Sequence, residues 1–143
     1  MKINQIFLLT GLLALPFTSC NCNKDDDDDD VELVSGMGGN LTLVAKPEHH
    51  GAPIINHANY ADTAFIKFNT QDFPGDNIAL YDTFFVGETV GEDHVHIEGI
   101  KPGKMYIFMA GLDTTIGERV TGGVPVNTSQ ASGELEVVVP VTE

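Results

Sequence analysis

The sequence predicts an all-β protein, a seven-stranded antiparallel β-sandwich, and three observations favour this fold class. Several segments alternate apolar and polar residues with a period of two, which is typical of strands with one buried face. Clusters of Gly, Pro, Asn and Asp separate these segments about every eight to twelve residues, as they do in sandwiches. No segment keeps the apolar period of about 3.6 residues that an amphipathic helix needs.

The central segment, residues 93–113, predicts a β-hairpin. In its first half, Val95 and Ile97 alternate with polar residues. A Pro-Gly turn follows at 99–104, and residues 105–110 supply an apolar second strand. The hairpin is therefore expected to bury one face and to expose a polar one. The polar residues of the exposed face are His94, His96 and Glu98.

The remaining strands are predicted from the same alternation or from short apolar runs between turns. They lie at 40–46, 63–69, 77–86, 120–127 and 134–141. The run at 77–86 has room for one strand or two, which brings the total to about seven. Gly122, Gly123 and Pro125 interrupt the fourth of these runs, so that strand is expected at a sheet edge.

Residues 98–107 read Glu-Gly-Ile-Lys-Pro-Gly-Lys-Met-Tyr-Ile. This segment resembles a motif of the prealbumin-like domains, including the carboxypeptidase-regulatory and collagen-adhesin B types: a strand, then Gly-Leu-x-Pro-Gly-x-Tyr, then another strand. Ile100 stands in the place of the Leu, and Met105 adds one residue before Tyr106. The resemblance implies a prealbumin-like sandwich of the Ig-like topology class. Because such domains are mostly stalks, spacers or binding modules, it also implies a non-catalytic binding or interaction module.

The N-terminal region predicts a membrane-anchored protein. Residues 1–19 combine a basic start with a short apolar run, as signal peptides do. The sequence Phe-Thr-Ser-Cys that ends at Cys20 resembles a bacterial lipobox of the Bacteroidetes type, which implies lipidation (palmitate) of Cys20. An ordinary secretory peptide cleaved near Ser19 is the alternative. Residues 20–36 would form a tether, and residues 37–143 the β-sandwich domain.

Six consecutive aspartates at 25–30 follow Lys24. A like-charge block of this length is expected to stay disordered and extended. It also resembles the acidic signal that exports lipoproteins to the outer face of the outer membrane. The expected localisation is thus an outer membrane lipoprotein that faces the cell surface or the periplasm. Only Cys22 remains beside the acylated cysteine, so the folded domain has no disulfide.

The net charge of −14 restricts the partners. Nucleic acid and anionic lipid headgroups would be repelled, and cations would be attracted. The expected partners are the membrane, through the N-terminal lipid, and either an envelope protein or a metal ion.

The histidines are the candidate metal ligands. On a strand, His94 and His96 share one face with about 6.6 Å between their Cα atoms, close enough to converge on one ion. Three more histidines occupy a predicted loop at 47–60, which could lie over this face or at the opposite end of the sandwich. The candidate set is His94, His96, His49, His50, His57 and Glu98. Such nitrogen and oxygen ligands suit Zn²⁺ or Cu²⁺, and the alternative is a group of solvated histidines.

Catalytic residues are not expected. Ser129 and Ser132 lack a base and an orienting group at a recognisable spacing, so nucleophilic catalysis is not indicated. Among enzymes of the resembled fold, the transthyretin-related hydrolases end in Tyr-Arg-Gly-Ser, unlike this sequence, and the intradiol dioxygenases are far longer. A prealbumin-like hydrolase or oxygenase is the least favoured alternative.

Overall fold

The structure is a computed structural model that describes residues 32–143. The signal peptide predicted at 1–19, the lipidated Cys20 and the aspartate run at 25–30 lie outside the described residues. The first strand begins at Gly36, one residue before the predicted start of the domain. Within the described part, no helix is long and apolar enough to cross a membrane.

Eight strands of the described residues form two sheets that pack face to face. They are β1 (Gly36–His49), β2 (Ala52–Pro53), β3 (Thr63–Phe68), β4 (Thr83–Val86), β5 (Val95–Lys101), β6 (Gly103–Asp113), β7 (Glu118–Thr128) and β8 (Ser132–Pro140). In the first sheet, β1 pairs with β5 on one side, with β8 on the other, and with β2 near its C-terminal end. The second sheet has the order β4-β3-β6-β7.

The predicted all-β sandwich is confirmed, with three differences in detail. The prediction of a β-hairpin at 93–113 is wrong: β5 pairs with β1 in the first sheet and β6 pairs with β3 and β7 in the second, so the turn between them connects the two sheets. The strand number is eight because β1 continues into a short hairpin with β2, across the turn at His50 and Gly51. Both turn residues have positive φ (51° and 77°), the conformation of the tight turn that suits twisted hairpins. The pairing is antiparallel except for β1 and β8, which run parallel because the chain leaves the second sheet after β7 and enters the first in the direction of β1.

The core lies between the two sheets, where alternate residues of each strand meet. Along β1, for example, Leu41, Leu43 and Ala45 are fully buried while their neighbours are partly exposed. The same alternation buries Val95 and Ile97 of β5, as the sequence predicts. Burial of these alternate residues therefore determines which face of the sheet each neighbouring side chain occupies.

A second apolar layer covers the outer face of the β4-β3-β6-β7 sheet. Phe65 of β3 and Phe108 of β6 pack there against Tyr81, with ring centroids 5.6–6.3 Å apart. Tyr81 belongs to the connection between β3 and β4, which contains a short 3₁₀ turn at Ile78–Leu80. The apolar run predicted at 77–86 thus contains one strand, β4, since Ile78–Leu80 form the 3₁₀ turn and Tyr81 packs on the sheet without joining it.

Candidate functional site

A buried histidine lies at the C-terminal end of β1. His49 is the last residue of β1 and is only 4% exposed, because its side chain follows Leu43 and Ala45 on the inner face of the strand. The sequence places this residue in a loop, but β8 pairs with β1 as far as Glu48 and holds the strand extended. His49 therefore points between the sheets.

Two carboxylates bracket the His49 ring. Its Nδ1 lies 2.8 Å from Oδ2 of Asp113, at the end of β6 in the opposite sheet, and its Nε2 lies 2.8 Å from Oε2 of Glu143. The other oxygen of Asp113 accepts hydrogen bonds from the backbone amide and the hydroxyl of Thr115. The contact joins the two sheets through hydrogen bonds that involve charged groups, which are the stronger kind.

The electrostatics of this cluster follow from those contacts. Hydrogen bonds from the hydroxyl of Thr115 and from His49 hold the pKa of Asp113 at about 2, well below its usual value. Asp113 in turn raises the pKa of His49, and Glu143 adds to the effect. The pKa of Glu143 is lowered, first by a backbone hydrogen bond and then by His49. The raised pKa favours the imidazolium form of His49, in which both ring nitrogens can donate to the two carboxylates.

His50 completes a set of three possible metal ligands. Its ring stacks on that of His49 at a centroid distance of 4.1 Å. One ligand atom from each of His49, His50 and Glu143 falls within 4.8 Å of the other two, and His50 and Glu143 are exposed. Tetrahedral Zn²⁺ with bonds of about 2.0–2.1 Å needs ligand atoms about 3.4 Å apart, so a shared ion requires the two exposed side chains to move.

The other predicted ligands lie elsewhere. His94 and His96 stack on each other at a centroid distance of 4.8 Å outside the core, next to and on β5, and His94 pairs with Asp93 at 2.8 Å. His57 is partly buried in the loop after β2, where it forms a β-bridge with Tyr60. In the described part of the chain, these histidines and Glu98 do not join the His49 set. His96 and Glu98 differ from His49 because their positions on β5 turn their side chains away from the interior.

A groove runs between β4 and β5 and has a volume of about 730 Å³. His94, His96 and Glu98 belong to its lining, together with residues of β4 and of the loop that follows β4. The other lining residues are Phe84, Phe85, Val86, Gly87, Glu88, Thr89 and Glu92. The face of β5 that the sequence predicts as polar is therefore one wall of a groove.

A second buried carboxyl, Asp62, lies just before β3 and has no exposed surface. Neither of its side-chain oxygens has a hydrogen-bond partner in the structure. Burial raises its pKa to about 6, and the nearby charge of His57 opposes the rise. Gly111 makes room for this carboxyl, since a Cβ there would lie 2.7 Å from Oδ1.

Sequence reasoning missed Asp113, Glu143 and Asp62 as members of polar clusters. Asp113 and Glu143 lie 64 and 94 positions from His49, and no local pattern connects them. The only signal is the Asp-x-Thr spacing at 113–115, which is typical of a side-chain-capped turn.

Comparison with protein-family models finds no match, and comparisons with curated proteins and with solved structures find none either.

Proposed function

We propose that this chain is a membrane-anchored, non-catalytic lipoprotein whose sandwich binds a transition-metal ion through His49, His50 and Glu143. One observation carries the proposal: Asp113 holds Nδ1 of His49 while Nε2 faces Glu143 beside the stacked His50 ring. Metal-binding histidines characteristically donate their second N–H to a carboxylate, which fixes the ring and raises its basicity. Asp113 is in the position of such an outer carboxylate.

The metal competes with a proton at this site. In the metal-free chain the imidazolium of His49 balances part of the charge of Asp113 and Glu143. A divalent ion that replaces the Nε2 proton neutralises the same carboxylates more fully, and binding then releases a proton. The acidic surface of the chain, with a net charge of −14, raises the local concentration of cations. Imidazole and carboxylate ligands suit Zn²⁺ and Cu²⁺.

The anchored location rests on the sequence. The signal peptide at 1–19 and the lipobox-like segment before Cys20 support lipidation, and the acidic run at 25–30 supports export to the outer membrane. The domain would then act at the cell surface or the periplasmic face, where exchangeable metal ions are accessible. An acylated cysteine that carries more than one chain gives stable attachment.

The second candidate function is an interaction module without metal. In that case the imidazolium of His49 serves as a structural ion pair between the sheets, and the module acts through its surface. The groove between β4 and β5 favours this candidate, because its concave surface of about 730 Å³ could receive a partner. The two candidates are compatible, since the His49 set and the groove share no residue.

Calorimetric titration of the full chain with ZnCl₂, in detergent and after chelator treatment, tests the metal proposal. We expect one-to-one binding with a micromolar or lower Kd and the release of about one proton, measured in two buffers of different ionisation enthalpy. His50→Ala and Glu143→Gln, both at exposed positions, should each weaken binding at least about tenfold. His96→Ala is the control and should leave binding unchanged. Millimolar binding that all three variants retain would refute the proposal.

A further inference from the structure

The two lateral edges of the sandwich, where one sheet meets the other, differ in backbone hydrogen bonding. Thr121 of β7 and Thr142, which follows the end of β8, exchange two backbone hydrogen bonds of 2.8 Å, so the sheets are joined there. Between β4 and β5, no backbone hydrogen bond is present in the described residues. Each of these strands pairs on one side only, β4 with β3 and β5 with β1. The groove therefore lies between two strand edges whose backbone groups are unpaired.

An unpaired strand edge is a template for another strand. β5 has seven residues, which at about 3.3 Å per residue give an edge about 23 Å long. On β4, Phe85 lines the groove; its ring faces the interior opposite Ala64 and is only partly buried. The groove thus offers backbone hydrogen bonds along one wall and apolar contacts along the other, the two requirements of strand addition.

The charges of the groove select the occupant. Glu88, Glu92 and Glu98 belong to the lining, and the lining contains no lysine or arginine. A second copy of this chain would bring an equally acidic edge, and like charges across such an interface are repulsive. A segment with basic side chains is attracted instead, and alternation would place its apolar side chains on the interior side, against Phe85.

We propose that the groove between β4 and β5 binds an extended, basic segment of a partner protein by strand addition. Main-chain hydrogen bonds to the β5 edge provide affinity, Phe85 contacts the apolar side chains, and the three glutamates pair with lysine or arginine. The preferred segment alternates basic and apolar residues over about five to seven positions, the length of the edge. This binding site is independent of the metal ligands.

The probe is a fluorescent, end-blocked heptapeptide of alternating Lys and Val, titrated with the full chain in detergent and chelator and measured by anisotropy. We expect saturable binding with a Kd in the range of micromolar to tens of micromolar. The corresponding Glu and Val peptide should not bind. The Lys and Val peptide with N-methyl groups on alternate amides keeps its charge but loses strand hydrogen bonds, and it should bind at least ten times more weakly.

Paired charge-reversal variants locate the binding surface. Glu88→Lys with Glu98→Lys should weaken peptide binding at least tenfold. Glu118→Lys with Glu134→Lys changes the net charge equally on exposed residues outside the groove and should leave binding within twofold. His49→Ala, or His50→Ala if the first variant folds poorly, should also retain binding, which separates this site from the metal proposal.

Four results would overturn the inference. Equal losses in both charge-reversal pairs would indicate general electrostatic attraction. Equal binding of the N-methylated peptide would exclude strand addition, and so would absence of binding. The fourth result comes from sedimentation of the chain alone: a dimer that the Glu88→Lys and Glu98→Lys changes alter would assign the groove to a second copy instead.

Discussion

Two buried aspartates near the same end of the second sheet have pKa values that are shifted in opposite directions. Asp113 is 9% exposed, is hydrogen-bonded on both oxygens, and has a pKa of about 2. Asp62 is fully buried, has no partner for either oxygen, and has a pKa of about 6. Desolvation disfavours the charged form of both carboxyls, but only Asp113 has donors that reverse the effect. The difference shows that partners, rather than depth, decide which buried carboxyl stays ionised.

The comparison also assigns different roles to the two carboxyls. Asp113 ties β6 to β1 through His49, so its charge contributes to stability and orients the proposed metal ligand. Asp62 fits beside Gly111 and Ile54 as a neutral acid at low pH and destabilises the fold once it is ionised. Substitution of the same residue type by the same amide should therefore change stability in opposite directions.

The largest effect is expected from Asp113→Asn. The amide cannot balance the charge of His49, so the buried imidazolium loses its main partner. We expect the unfolding midpoint at pH 7 to fall by on the order of 10 °C and the Zn²⁺ affinity to fall about 10- to 100-fold. Circular dichroism melting and calorimetry measure the two effects. An unchanged midpoint would mean that the cross-sheet pair does not stabilise the fold.

Asp62→Asn should instead stabilise the chain. A pKa raised from 3.8 to about 6 means that ionisation at pH 8 costs the folded state roughly 2 to 3 kcal/mol, which the amide avoids. At pH 4 the acid is already neutral in the folded state, so the two proteins should differ by less than about 0.5 kcal/mol. Urea unfolding at both pH values measures the difference. Destabilisation at pH 8 would show that the ionised Asp62 has a stabilising partner.

The same pKa shifts predict the pH profile of the unsubstituted chain. The raised pKa of Asp62 gives stability that is present below 3.8 and lost as the pH rises through about 6. The raised pKa of His49 gives stability that is present below 6.5 and lost above it. The lowered pKa of Asp113 gives stability that is present above 3.8 and lost as the pH falls toward 2.

The unfolding midpoint should therefore be highest near pH 4–5 and should fall in both directions, as scanning calorimetry without metal can test. Asp62→Asn is the control for the alkaline side, because it should flatten the decline between pH 4 and 6 while leaving the decline above pH 6.5. A maximum at pH 7 or above would contradict the raised pKa values of Asp62 and His49.

Gly111→Ala tests the packing around Asp62. The new Cβ would lie 2.7 Å from Oδ1 of Asp62 and 3.0 Å from Cγ2 of Ile54, so one of them must move. Overpacking of this kind destabilises by about 1 to 3 kcal/mol. Gly36→Ala is the control, because a Cβ at Gly36 meets no atom within 4 Å. In an Asp62→Ala background the Gly111→Ala cost should be smaller, and an equal cost would assign the strain to Ile54.

The features that the sequence predicted correctly are those with a local signal. Alternation in β5 identifies Val95 and Ile97 as buried and His96 as exposed, since each residue of a strand faces opposite to its neighbours. The partners of His49 could not be predicted this way. The strand β1 reaches His49 only because β8 pairs with it, and those strands lie about 90 positions apart in the chain.

The weakest effect should come from the exposed ion pair between Lys46 of β1 and Glu136 of β8, at 2.8 Å. Both strands have abundant backbone pairing, and Glu136 is 60% exposed, so water and salt screen the attraction. Glu136→Ala should change the free energy of unfolding by less than about 0.5 kcal/mol in urea titrations at 0.15 M salt. A loss above 1 kcal/mol that disappears at high salt would show that this pair contributes to holding β8 beside β1. The contribution of this surface ion pair to the free energy of unfolding would then be comparable to that of the buried carboxyls.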